Sequence, residues 1–162
     1  MKIAVMSDSH DNIWKLEAAM PNLRATDAII HCGDLCAPFV FKRRGEGLGG
    51  IPVHIVWGNN DGDPWRISRV ASAYPNIQLQ GEVARIEIDG VRIGVNHYPE
   101  IAGDLARSGS YDLVCFGHDH TAYKGMEGSC LLLNPGELMG MNGRSTIAVV
   151  ELQTLDATWI DV

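Results

Sequence analysis

Seven residues of metal-binding type stand just beyond short apolar runs: Asp8, His10, Asp34, Asn59, His97, His118 and His120. Asp8 and His10 form an Asp-x-His pair, and residues two apart at a strand end point to one side, where they can grip a single cation. Taken alone the pair also fits a helix entry, with Asp8 or Asp11 capping the stretch that follows. Asp34 follows Gly33, which permits the sharp turn that aims a carboxylate outward, although an ordinary turn aspartate would look the same. Asn59, in Gly58-Asn59-Asn60-Asp61, offers a carbonyl oxygen to a metal or an amide to a phosphate, and equally fits a plain turn. A lone His97 would be an ordinary hydrogen-bonded histidine. Convergence is the stronger argument: seven ligands at the ends of five successive strands would need every bland reading to hold independently.

A His, Asp and Asn set without cysteine suits manganese, iron, nickel or zinc better than a calcium or magnesium cage. Cys32 and Cys36 lack a second pair, which argues against a structural zinc site.

The elements that must position these residues follow from the same pattern. Ile3 to Met6, Ala28 to Ile30, Val53 to Trp57, Val91 to Val95, Leu113 to Phe116 and Leu131 to Leu133 are short, Val- and Ile-rich runs, each followed by turn formers. They read as buried strands. Asn12 to Met20 carries Ile13, Leu16 and Met20 at helical spacing, with Pro21 expected to end or kink the helix. Asp63-Pro64 reads as the cap and first turn of a second helix running toward Tyr74, and a third is expected over Glu100 to Ser108. Strands alternating with helices imply βαβ units, whose ligands gather beyond the carboxyl ends of the strands. Antiparallel pairs are expected for Val83 to Ile88 with Val91 to Val95 around Asp89-Gly90, and for Thr146 to Leu152 with Thr158 to Val162. The order fits an α/β protein with two mixed sheets packed together and helices outside. A single domain over residues 1–162 is expected, since no linker, repeat or low-complexity segment divides the chain.

The formal charge of -7 argues against holding long nucleic acid on a general basic surface, so nucleic acid is expected only as a short or cyclic substrate. The basic cluster Lys42-Arg43-Arg44 reads as a solvated helix end. No apolar run approaches the roughly 18 residues of a spanning helix, and no signal peptide is evident. With four sparse cysteines this points to a reducing, cytoplasmic setting without a membrane partner. Assembly into a homo-oligomer stays open.

In order along the chain, Asp8-x-His10, Gly33-Asp34, Gly58-Asn59-x-Asp61, the lone His97 and Gly117-His118-x-His120 resemble the five blocks of the calcineurin-like metallophosphoesterase superfamily. The short chain, the Gly-Asn-x-Asp form and Asn134-Pro135-Gly136 are similar to its small prokaryotic phosphodiesterase branch, a group similar in fold to the retromer subunit of eukaryotes. The resemblance implies a four-layer α/β/β/α sandwich of two mixed sheets flanked by helices. It implies two divalent metal ions, manganese foremost: Asp8, His10 and His120 hold one, Asn59, His97 and His118 the other, and Asp34 bridges. Asp34, Asn59 and His97 also count as catalytic. On that reading two cations about 3.5 to 4 Å apart would lower the pKa of a shared water, and a metal-bridging hydroxide would attack a phosphate ester in line.

Departures from the pattern shape the expected substrate. Asn60 stands where many members carry a histidine near the leaving group and where the small branch commonly has cysteine, and an amide cannot donate a proton near neutral pH. Tyr98-Pro99 replaces Gly-His after the lone histidine, so Tyr98 either shapes the pocket or stacks on its rim. Asp119 stands where threonine is usual and should turn away from the metals by alternation. Asn12 is a candidate substrate contact and, equally, a helix start. His31 and Asp61 are expected behind the ligands, orienting them. The expected function is hydrolysis of a small phosphodiester, less so of a monoester. The alternative is a protein-binding scaffold on the same fold.

Overall fold

The computed structural model describes residues 1–44 and 48–162, and the side chains of Lys42-Arg43-Arg44 lie outside the described set. The first half of the chain runs β1 (Lys2–Met6), α1 (Ile13–Leu23), β2 (Ala28–His31), α2 (Phe39–Arg44), β3 (Val53–Ile55), α3 (Pro64–Ala71) and β4 (Ile77–Leu79). The second half runs β5 (Val83–Ile88), β6 (Val91–Asn96), α4 (Pro99–Arg107), β7 (Leu113–Cys115), β8 (Tyr123–Glu127), β9 (Cys130–Asn134), β10 (Thr146–Glu151) and β11 (Asp156–Asp161). One sheet has the order β11-β10-β1-β2-β3-β4, parallel from β1 to β4 and antiparallel beyond β1. The other has the order β5-β6-β7-β9-β8, with a parallel centre and antiparallel edges.

Alternation along the strands builds the layers. On β1, Ala4 and Met6 face α1 and α3 with Leu16, Met20, Leu23 and Ile67, while Ile3 and Val5 face the second sheet. There they meet Ile93, Val95, Leu113, Cys115, Leu131 and Leu133. Val114 and Leu132, on the other face of that sheet, pack against Ala102 and Ala106 of α4. Three apolar interfaces therefore stack helices, sheet, sheet and helix into the expected four layers. Among the described residues no helix is long and apolar enough to cross a membrane.

Local chemistry sets the helix starts. The Asn12 side chain accepts from the Lys15 N–H at 3.1 Å and caps α1. Asp63 accepts from the Arg66 N–H at 2.9 Å and caps α3, with Pro64 in its first turn. Pro21 does not end α1, which continues to Leu23. In the last turn a proline removes only one backbone bond, and the fully buried Leu23 draws the helix onward. Elements also stop short of expectation: β3 ends at Ile55, and α3 ends at Ala71 rather than Tyr74. The five strands that end in candidate ligands are not successive, because β4 and β5 intervene; β1, β2 and β3 belong to one sheet, β6 and β7 to the other.

Candidate metal centre

At the carboxyl ends of three of those strands, β1, β2 and β7, the backbone turns into the left-handed region of φ/ψ space. Asp8 (φ 51°), His10 (39°), Asp34 (58°), His118 (75°) and His120 (58°) all have positive φ, which costs a residue with a side chain roughly 1 kcal/mol or more. Hydrogen bonds hold them there. The N–H groups of Asp8 and His10 donate to the carbonyls of Gly33 (3.1 Å) and Asp34 (3.0 Å), tying the first loop to the second. The Asp61 carboxylate accepts from the N–H groups of Gly58 (2.7 Å), Asp34 (3.1 Å) and Cys36 (2.8 Å), tying the third loop to the second. The His118 N–H donates to Asp8 Oδ2 at 3.1 Å and joins the two sheets.

All seven candidate ligands come together. Asp8 Oδ1 lies 3.3 Å from His120 Nε2 and 3.8 Å from His10 Nε2. Asp34 Oδ2 lies 3.4 Å from His10 Nε2 and 3.6 Å from His97 Nε2. Asn59 Oδ1 is 3.0 Å from His97 Nε2 and 2.9 Å from His118 Nδ1. Asp8, His10 and His120 could hold one ion, and Asp8, Asp34 and His97 form a second group with metal-binding spacing.

The donor set fits divalent cations on observations of this structure. Asp8 Oδ1 and His10 Nε2 are buried without a hydrogen-bond partner, a costly state for polar atoms unless an ion completes them. His97 Nδ1 stands 2.8 Å from the Cys32 carbonyl, which only accepts, so Nδ1 carries the proton and Nε2 turns its lone pair to Asn59 Oδ1. Two acceptors at that distance call for a positive charge between them. Burial raises the Asp8 carboxyl, but His10, Ser7, His97 and His120 outweigh it and hold the group below its ordinary value. Asp8 first, then Cys36, pushes His10 up to about 10 against its burial. The Asp8 carboxylate draws a proton to His10 where a cation would otherwise balance the charge.

The remaining candidates divide. His31 accepts from the Gly33 N–H at Nδ1 (3.2 Å) and donates from Nε2 to Ser9 Oγ (3.1 Å). Burial holds its pKa below the ordinary value, so it is a neutral strut between the first two loops. Asp61 lies behind Asp34 and accepts from its backbone N–H. Asp119 turns away and accepts from the Asn134 side chain at 2.6 Å. The Tyr98 ring packs edge-on against His97 and His118 at centroid distances of 5.2 and 5.1 Å, a rim position. Asn60 is exposed and lies against Asp34, its backbone N–H and Nδ2 donating to Asp34 Oδ1 (2.8 Å) and Oδ2 (2.7 Å). Asn12 is similarly engaged as the α1 cap, with Nδ2 on the Met139 carbonyl at 2.9 Å.

Glu137 was not foreseen. It is 1% exposed, its Oε2 sits 2.6 Å from His120 Nδ1, and its Oε1 accepts from the Asn142 N–H. It fixes the tautomer that turns His120 Nε2 toward Asp8. A signal was present: Glu137 follows β9 and Asn134-Pro135-Gly136, the same sequence of apolar run and turn that marks the ligands.

Gly33, like Gly58 and Gly117, leaves no room for a side chain in the site. At φ 102°, a Cβ there would lie 2.7 Å from His97 Nδ1 and 2.9 Å from the Gly58 nitrogen. Gly33→Ala is therefore expected to lower stability by about 3 kcal/mol in urea unfolding. A loss below about 0.5 kcal/mol would show that the loops yield freely.

The model of the calcineurin-like phosphoesterase superfamily domain matches residues 1–155. The chain is 29% identical over 158 residues to a phosphodiesterase of Methanocaldococcus jannaschii, a match covering 94% of each. Among solved structures, an archaeal phosphodiesterase superposes with a TM-score of 0.91 at 27% identity, over 100% of both chains. Vps29 of Entamoeba histolytica superposes with a TM-score of 0.69 at 18% identity, over 100% of this chain and 99% of that one, a likeness of fold. Sheet order, layers, the gathered Asp and His residues and the matched model agree: this chain belongs to the calcineurin-like phosphoesterase superfamily.

Proposed function

We propose that this chain hydrolyses small phosphodiesters, and monoesters less well, with two divalent cations, manganese foremost and iron, nickel or zinc as substitutes. Asp8, His10 and His120 would hold one, Asn59, His97 and His118 the other, and Asp34 both. The observation that carries the reading is Asp34 Oδ2, which stands 3.4 Å from His10 Nε2 and 3.6 Å from His97 Nε2 and so reaches both groups. Bound cations would supply an activated water at neutral pH and charge to stabilise the transition state. The similarity to an archaeal phosphodiesterase, in sequence and in structure, supports the diester preference.

The chain's own residues prepare this chemistry. The Cys32 carbonyl and Glu137 orient His97 and His120, and the Asn60 amide steadies Asp34. The Tyr98 ring packs edge-on against His97 and His118 and limits how they can turn. Asn60 supplies no proton near neutral pH, so esters with good leaving groups are the better substrates. The proposal takes residues 1–162 as one unit in a reducing cytoplasm, a setting that suits four free thiols.

Purified protein with measured metal content is expected to release p-nitrophenol from bis-p-nitrophenyl phosphate when manganese is present, and His97→Ala is expected to abolish this. Absence of turnover with both metal positions filled would leave a binding scaffold as the better reading.

A further inference from the structure

An open groove in two parts runs beside the helices that follow the second and third ligand loops. One part, of about 620 Å³, lies along α3 and is lined by Asp63, Trp65, Arg69 and Tyr74. The other, of about 210 Å³, is lined by Ala37, Pro38 and Phe39 at the start of α2. Arg66 and Val70 line both, so the two parts are neighbours.

Its chemistry is unusual for a protein of net charge -7. Trp65 is 68% and Phe39 42% exposed, although large aromatics ordinarily bury most of their surface. The Arg69 guanidinium lies over the Trp65 ring at 5.3 Å from its centroid. Among the described residues, no carboxylate pairs with Arg66 or Arg69. Asp63 is the acidic residue in the lining, and one of its oxygens is engaged as the α3 cap. Exposed aromatic faces interleaved with free guanidinium groups recognise bases by stacking and phosphates by charge.

The groove also adjoins the metal centre. Cys36 Sγ lies 3.5 Å from His10 Nδ1, and Phe39 follows three residues later, at most about 11 Å along the chain. Trp65 follows Asp61 by four residues, at most about 14 Å. Resting on the phosphodiesterase reading above, we propose that the substrate is a short single-stranded oligonucleotide. Its scissile diester sits at the metal centre, neighbouring bases stack on Phe39 and Trp65, and a flanking phosphate meets Arg66 and Arg69. A cyclic mononucleotide has neither a second base nor a second phosphate and would leave the groove empty.

The test compares the manganese-loaded full chain with a Trp65→Ala/Arg66→Ala double variant and with Trp65→Phe. KM for tetrathymidylate is expected to rise about tenfold or more in the double variant and little in Trp65→Phe, since a phenyl face still stacks. kcat/KM for bis-p-nitrophenyl phosphate, which has no base, should stay within about twofold. An unchanged KM for tetrathymidylate, or an equal loss on both substrates, would overturn the proposal. Anisotropy of fluorescein-labelled tetrathymidylate separates this result from the fate of the phosphodiesterase reading. Binding to the parent chain and not to the double variant supports the groove even if no ester is turned over. No binding to the parent chain overturns the groove even if bis-p-nitrophenyl phosphate is hydrolysed.

Discussion

Asp34→Asn is expected to lower kcat/KM for a diester by roughly 10⁴-fold, about 5.5 kcal/mol in barrier height, while leaving the metal-free fold at least as stable. Asp34 is 1% exposed and stands within metal-binding distance of Asp8, itself fully buried. Asparagine has nearly the same shape, tolerates the φ of 58° and can still accept the Asn60 N–H. It removes the anionic oxygen that reaches both His10 and His97, and with it the group proposed to hold both ions. The new NH₂ group faces the Asn60 amide, which is exposed and can turn its oxygen toward it, and one of two like charges buried side by side is removed, so the metal-free protein loses nothing. Kinetics, metal analysis and urea unfolding in chelator check the three parts. Activity within tenfold of the parent would remove Asp34 from the centre of the mechanism.

Glu137→Gln is expected to weaken the ion held by Asp8, His10 and His120 by about 10- to 100-fold and to destabilise the fold by about 2 kcal/mol. Glu137 accepts on both oxygens, from His120 Nδ1 and from the Asn142 N–H. An amide has one accepting oxygen, so a donor must face its NH₂ group and one of the two bonds is lost. The neutral amide also makes His120 a poorer ligand. At limiting manganese the variant should bind one ion where the parent binds two, and excess manganese should restore turnover. Damage confined to folding would not be repaired by metal, so rescue separates positioning from packing. Unchanged metal affinity would sink the assigned role.

Much of this centre could be read from one repeated pattern. Asp8, Asp34, Asn59, His97 and His118 each follow an apolar run that becomes a buried strand, and parallel strands must end at a common edge. The layer order was legible for a similar reason, since Ile3, Ala4, Val5 and Met6 alternate between two apolar faces. Short elements were not legible. β4 spans three half-buried or exposed residues at a sheet edge, and β8 places Tyr123, Lys124 and Met126 in solvent, so neither carries a burial pattern. α2, at six residues, is too brief for a helical period to register. Asn60 shows a different limit: its place beside Asn59 is in the sequence, but its grip on Asp34 depends on how loops 26 residues apart meet.

The hydrogen bond from the His118 backbone to Asp8 spans 110 residues and crosses from one sheet to the other. A contact so distant in sequence forms only after the intervening strands have paired and the two sheets have docked, because closing such a loop alone is entropically unfavourable. The ligand set is thus complete only in a chain that has already passed its folding barrier. Ions captured there act on the return journey: they slow unfolding and leave the folding rate nearly untouched, so the metal protects the finished sandwich without guiding its assembly.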